Sequence, residues 1–261
     1  MSEHPVLFSA SDGLATITLN RPETLNAMNG DLMQGITDSI RTVERDQSIR
    51  AVVLTGTGRG FCAGADLSAA ADDVPDKDHS LHHLYNDTMR AIVNCPVPVV
   101  ARINGAAAGG GLGLALACDI TIATESAIFV ATFGPKLGIV PDMGATWTIP
   151  RLVGRARALG LTLLGTRLSG KQAEEWGLIW KSVPGEALDD AVDEVVATLK
   201  RSNPATSTRI RQSIDAAFEN SFTEQLDLEV EHQRILLPRN MQAGAKAFLE
   251  KTEPVFGPER D

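Results

Sequence analysis

Two glycine clusters are the first candidates for chemistry. In "AAAGGGLGLALACD" (residues 106–119), Gly109, Gly110 and Gly111 stand ahead of an apolar Leu/Ala run. In "GTGRGFCAGAD" (56–66), Gly58, Gly60 and Gly64 are interleaved with Ala63 and Ala65. Each cluster follows a continuous apolar run, "IRAVVLTG" (49–56) or "VPVVARING" (97–105), that suits a buried parallel strand. Each is expected to turn from that strand into a helix, placing backbone N–H groups at the strand's carboxyl end, where ligands sit in open α/β folds. Two such groups facing one point would make an oxyanion hole. Glycines that merely let backbones pack closely explain the same pattern, and spacing alone leaves both readings open.

Other motifs are weaker. Residues 58–63, G-R-G-F-C-A, match a relaxed dinucleotide fingerprint, which needs an acid ending the next strand about 20 residues on. That region reads "SLHHLYND", a helix, so a Rossmann site is disfavoured. "GGGLG" fails the fingerprint, and no G-x-x-x-x-G-K is present. His79, His82 and His83 in "HSLHH" have helical spacing that could hold a metal, but no acid or Cys completes a set. They read as a solvated helix start, and no metal is expected. Arg151, Arg155 and Arg157 read as a solvated or subunit-facing edge rather than a phosphate clamp.

Bulk properties narrow the classes. The net charge of −9 argues against nucleic acid, while leaving room for an anionic small ligand held locally. Cys62, Cys95 and Cys118 show neither metal spacing nor a disulfide framework, which fits a reducing compartment. The first residues lack the basic and apolar regions of a signal peptide, and no apolar stretch is long enough to span a membrane. A cytoplasmic protein is expected.

The elements that must hold the glycine clusters follow from periodicity. "GLATITLN" (13–20) alternates like a strand, and residues 30–46 place apolar residues at 32, 33, 36, 40 and 43, one helix face. Residues 57–67 read as a loop entering a short helix, 81–95 as a helix, and "DITIAT" and "AIFVAT" as short strands. Residues 144–165 read as helical with a break at Pro150, followed by a helix over 170–179 and the strand "WKSVP". Beyond about residue 185 four helices follow, the last two separated around Pro238. The reading is an α/β layered core with a helical C-terminal part.

At this point the chain resembles a family. "LNRPETLNAMN", "GRGFCAGADL", "INGAAAGGGLGLALACDI" and "LGIVPDMGATWTIPRLVG" together resemble the crotonase, or enoyl-CoA hydratase/isomerase, family over essentially the whole chain. "VERDQSIR", "LVGRARALGLTLLG", "AEEWGLIW" and "EQLDLEVEHQR" look closest to its ring-epoxide isomerases of phenylacetyl-CoA catabolism. The resemblance implies a ClpP-like spiral of ββα units, with a core over residues 1–203 and a helical oligomerisation region over 204–261. It implies a homotrimer or dimer of trimers acting on an acyl-CoA, with CoA as part of the substrate and no separate cofactor. It assigns the oxyanion hole to the N–H groups of Ala63 and Gly110. It places CoA along Gly64, Ala65, Asp66 and Leu67, beside Leu25 and Ala27, with Phe248 and Lys251 approaching the CoA of a neighbouring subunit.

Hydratases of the family carry two glutamates. Here the corresponding positions are Gly113 and, through a blurred register, Gly134. Addition of water by two carboxylates is therefore disfavoured. The remaining carboxylate is Asp142 in "GIVPDMGATW", kept as an acid/base by isomerases that the chain resembles. One carboxylate suffices to take a proton from one carbon and return it to another. Before "MGATW", the same Asp reads equally as a helix N-cap. His83 and Tyr85 fall on the family's variable helix lining the acyl pocket. The expectation is an acyl-CoA isomerase with Asp142 as catalytic group. The alternatives are an enoyl-CoA hydratase and a non-catalytic CoA-ester-binding protein.

Overall fold

The structure, a computed structural model, describes residues 4–68 and 80–260, and only the backbone of residues 80–82. It begins with a hairpin of β1 (Val6–Ser11) and β2 (Leu14–Leu19), joined through Asp12 and Gly13, both at positive φ. Such a two-residue turn matches the twist of the strands it joins. Sequence reasoning marked only the second strand, because β1 leaves most of its side chains exposed and lacks a buried alternation. Helix α1 (Gly30–Arg45) starts where the Asn29 side chain accepts the Leu32 N–H at 3.0 Å. Its stripe of Leu32, Met33, Ile36, Ile40 and Val43 is buried, as the spacing predicts.

A repeating unit follows. β3 (Ala51–Gly56) leads to β4 (Gly60–Cys62) and α2 (Ser80–Val93). β5 (Val99–Ile103) leads to β6 (Ala106–Ala108) and α3 (Gly110–Leu116). β7 (Ile120–Thr124) leads to β8 (Ile128–Val130), a π-helical turn and α4 (Ala145–Leu164). β9 (Arg167–Ser169), α5 (Gly170–Glu175) and β10 (Lys181–Val183) close the series. The first strand of each unit joins a six-stranded sheet, β1-β2-β3-β5-β7-β10, and the second joins a four-stranded sheet, β4-β6-β8-β9. From β2 to β10 the large sheet is parallel, and its central strand β3 is buried throughout, which explains the unbroken apolar run.

The main core joins α1, α2 and α3 to both sheets. A second core covers the other face of the large sheet, where Val53, Val100 and Ile122 meet Leu188, Val192 and Val196 of α6 (Leu188–Arg201). Helices α7 (Pro204–Ala216) and α8 (Phe222–Glu250) pack on each other and leave Ile214, Phe218, Phe222 and Val230 exposed. The last residues return to the core. Arg50 donates to the carbonyls of Gly257 and Phe256 at 3.1 and 3.2 Å, and Arg260 to those of Val43, Asp46 and Ile49 at 2.6–2.8 Å. Among the described residues, no helix is long and apolar enough to cross a membrane.

Three local expectations are corrected. The first glycine cluster enters the strand β4 and a loop, not a helix, which also removes the dinucleotide-site geometry. Inside α4 the non-helical residue is Gly154, at φ 76° and ψ 163°, while Pro150 is accommodated. Finally, the two last expected helices are one, because α8 runs through Pro238. Proline removes one i→i−4 bond, but its fixed φ is itself helical.

Candidate active site

The first cluster is locked to the segment preceding α1. The Met28 N–H donates to the Gly64 carbonyl at 2.7 Å, and the Met28 carbonyl accepts the Asp66 N–H at 2.8 Å. Asn26, fully buried, donates to the carbonyls of Thr57 and Gly60 at 3.0 and 2.9 Å, and its Oδ1 accepts the Arg21 N–H at 2.8 Å. The Arg21 guanidinium donates to Asp66 at 2.8 Å and also to the Ala27 carbonyl. Leu25 and Asn26 reach these bonds through left-handed φ values of 54° and 58°. The Ser68 hydroxyl, and after it Arg21, holds the Asp66 carboxyl below its ordinary range. Leu67 points outward and is half exposed.

This network corrects the expected donor. The Ala63 N–H donates to the Leu25 carbonyl at 3.0 Å, so it is already engaged within the chain. Two residues on, the Ala65 N–H has no acceptor among the described residues. The sequence "AGA" offers two alanines, and only a hydrogen bond across a long loop tells them apart.

The second cluster lies against the first. A Cβ on Gly64 would lie 3.3 Å from the Gly110 nitrogen, and one on Gly111 would strike the Cys62 carbonyl. Gly109 enters α3 with φ 53°, leaving Gly110 at the first helical position. An N–H there has no intrahelical partner, and this one has no other acceptor among the described residues. The Ala65 and Gly110 donors thus belong to touching loops at the ends of neighbouring strands.

Asp142 is half buried in the turn before α4. The cap position of α4 is Gly144, at φ 71° and without a side-chain cap, while Asp142 contributes its backbone carbonyl to the Ala145 N–H at 2.9 Å. Met143 between them is buried and left-handed, at φ 52°. That conformation costs a non-glycine residue roughly 1–2 kcal/mol. Tyr85 on α2 is buried, and its hydroxyl donates to the Met28 carbonyl at 3.2 Å. Burial, and next the negative charge of Asp142, push its phenol up to about 12. Asp142, Tyr85 and the Met28 clamp on the Ala65 loop therefore share one neighbourhood.

The two hydratase positions differ. Gly113 faces Met143: a Cβ there would lie 2.6 Å from the Met143 Cβ and 2.7 Å from its carbonyl oxygen. Backbone cannot move aside as a flexible side chain can, so no larger residue fits without displacing that turn. Gly134 lies in the π-helical turn Phe133–Leu137, where a Cβ would approach the Thr162 carbonyl at 3.2 Å. Gly113 and Met143 also wall a cavity of about 220 Å³ with Met89, Gly144, Trp147 and Thr148. A larger cavity of about 440 Å³ lies beside Cys118, Asp119, Glu174 and Trp180 and includes none of the candidate residues.

Elsewhere, His79 lies outside the described residues, as does the His82 side chain, while His83 is exposed. Among the described residues, no group of three His, Cys, Asp or Glu could hold a metal ion. Arg151 stacks on Trp147 at 3.9 Å, and Arg157 donates to the Trp176 carbonyl at 3.1 Å. Phe248 and Lys251, at the end of α8, are exposed on the single chain. Arg21, Asn26 and Met143 escaped sequence reasoning, because their bonds and contacts cross between distant segments.

With this geometry in hand, comparison with known proteins is specific. The sequence model of the family described as "Enoyl-CoA hydratase/isomerase" matches residues 9–259. The "1,2-epoxyphenylacetyl-CoA isomerase" of Escherichia coli (strain K12) is 43% identical over 96% of this chain and 97% of its own length. The crystal structure of an enoyl-CoA hydratase from Bacillus anthracis superposes with a TM-score of 0.92 at 31% identity, covering 98% of this chain and all of that one. One from Polaromonas sp. JS666 gives 0.90 at 30% identity, covering 97% and 99%.

Proposed function

The chain belongs to the enoyl-CoA hydratase/isomerase family and has its crotonase fold, and from that premise we propose that it is an acyl-CoA thioester isomerase. The N–H groups of Ala65 and Gly110 hold the thioester oxygen. As a proton leaves the acyl chain, charge builds on that oxygen, so fixed donors favour the enolate-like transition state over the substrate. Asp142 takes the proton from one carbon and returns it to another. CoA lies along Gly64–Leu67, beside Leu25 and Ala27, and is part of the substrate, so no separate cofactor takes part. The favoured substrate is a ring-epoxide of a phenylacetyl-type thioester. A double-bond shift in an enoyl-CoA uses the same groups.

The observation that carries this reading is the packing of Gly113 against the Met143 backbone. It leaves no room for a second acid beside α3; Asp66, next to Ala65, is paired with Arg21, and Asp142 adjoins the Met143 that packs on Gly110 and Gly113, which supports its role as the acid/base. The 43% identity to a protein named an epoxyphenylacetyl-CoA isomerase adds support. We also take residues 204–261 as an oligomerisation region of a homotrimer or dimer of trimers, which would cover the apolar side chains exposed on α7 and α8. A panel of CoA thioesters, including phenylacetyl-type epoxides and 2- and 3-enoyl chains, read by mass spectrometry, tests the reading. Products of unchanged mass and altered connectivity are expected. Products heavier by one water would make the enzyme a hydratase, and no turnover at all would make it a binding protein.

A further inference from the structure

Polarising an unsaturated thioester has two consequences. It acidifies the carbon chain, and it makes the β-carbon open to attack by water. An isomerase that holds the thioester oxygen therefore needs a reason why water does not add. The residue next to Asp142 supplies one. Met143 is 2% exposed, and its Cγ lies 3.3 Å from where a Cβ on Gly110 would stand. Its Cβ and carbonyl oxygen stand against Gly113, one helical turn on. Met143 thus stands over Gly110 with its Cγ, beside the still closer Met28 methyl, while its Cβ and backbone pack on Gly113, the position where a hydratase carries an acid. It does so from a left-handed backbone, φ 52°, that glycine would adopt without strain. A strained residue beside a reacting group points to function more than to packing. Its thioether is apolar and flexible, suited to filling space beside a substrate without binding water.

Resting on the isomerase reading, we propose that Met143 is a specificity-determining residue whose side chain, together with that of Met28, fills the volume over Gly110 in which a hydrating water would stand. Hydration breaks one O–H bond of water, adds hydroxyl to the β-carbon and a proton to the α-carbon. With that volume filled, the only proton exchanged is the one Asp142 lifts from one carbon and sets on another, and no atom is gained.

The test uses the full chain and the thioester that the unmutated enzyme isomerises fastest, in ¹⁸O-labelled water. The ratio of labelled hydroxyacyl-CoA to isomerised product is read by mass spectrometry. In Met143→Gly, which suits the backbone and removes the side chain, the ratio rises by about tenfold or more. Met143→Leu, which keeps the volume, retains the ratio within about twofold. If Met143→Gly does not fold by near-ultraviolet circular dichroism, Met143→Ala decides by the same measurement. An unmutated enzyme that isomerises, with an unchanged ratio in the truncated variants, overturns this inference alone. An unmutated enzyme that hydrates, or that turns over nothing, overturns the isomerase reading and this inference with it.

Discussion

Asp142 combines exposure to the site with a backbone role in the turn before α4. The N-cap position of α4 is Gly144, two residues beyond Asp142. Asp142→Asn preserves shape and the backbone carbonyl while removing the base. General acid–base catalysis contributes typically 10²–10⁴-fold, so kcat is expected to fall by about that factor with the melting temperature nearly unchanged. Steady-state kinetics beside thermal unfolding checks this. Activity that survives the change would remove Asp142 from the reaction. Tyr85, held neutral by burial and by the charge of Asp142, cannot replace it as a base at neutral pH. At this scale the sequence was informative about residue types and less so about register. Gly110 and Asp142 stood out, but the choice between Ala63 and Ala65 rests on one bond to Leu25, which no local pattern encodes.

At the scale of elements, the site depends on an irregular segment whose one helical piece is the 3-10 turn Pro22–Thr24. Residues 21–28 hold the Ala65 loop through Met28, Asn26 and the Arg21–Asp66 pair, whose side chains are 11% and 17% exposed. Asp66 is depressed first by the Ser68 hydroxyl and then by Arg21. A depressed carboxyl contributes stability above its unfolded value, about 3.9, and loses it as pH falls through the folded value. Asp66→Asn is therefore expected to lower the melting temperature at neutral pH and to lessen its decline on acidification. Thermal scans from neutral pH to about 3 measure both, and parallel wild-type and variant curves would show that the pair does not contribute. Regular elements were legible wherever a buried face repeats. The α1 stripe was read residue by residue, and so was the unbroken run of β3. Misreadings fell where glycine and proline permit several outcomes. The chain after β3 became a strand and loop where a helix was expected, and α8 continued through Pro238.

At the scale of the whole molecule, the single chain leaves much apolar surface uncovered. Phe222, Phe248 and Leu249 are each at least 80% exposed, and Trp180 is 70% exposed. Large apolar side chains left this exposed are what a subunit interface would cover. Sedimentation equilibrium is expected to give a mass three or six times that of the chain, and a stable monomer at micromolar concentration would count against the oligomerisation role of residues 204–261. This part of the molecule was legible as helices, and its expected oligomerisation role came from the family resemblance alone. Amphipathic periodicity says that a face is apolar, not whether its partner is the same chain or another.

The three cysteines, considered so far only as signs of a compartment, have a use of their own. All are free and buried, and burial pushes the Cys62 thiol up to about 12 and the Cys95 thiol up to about 11, with Cys118 also well above its ordinary value. Alkylation needs an accessible thiolate, so none should react until its surroundings open. The Cys62 carbonyl lies against Gly111, at the junction of the two donor loops. Its labelling rate by iodoacetamide therefore reports how often that junction separates. A bound thioester should lower the Cys62 rate in proportion to the fraction of enzyme left unoccupied while leaving Cys95 closer to its original rate. Equal slowing of all three would mean that the junction opens only when the whole chain unfolds. Unequal slowing would give the active site an opening equilibrium separate from global stability, measurable without a substrate assay.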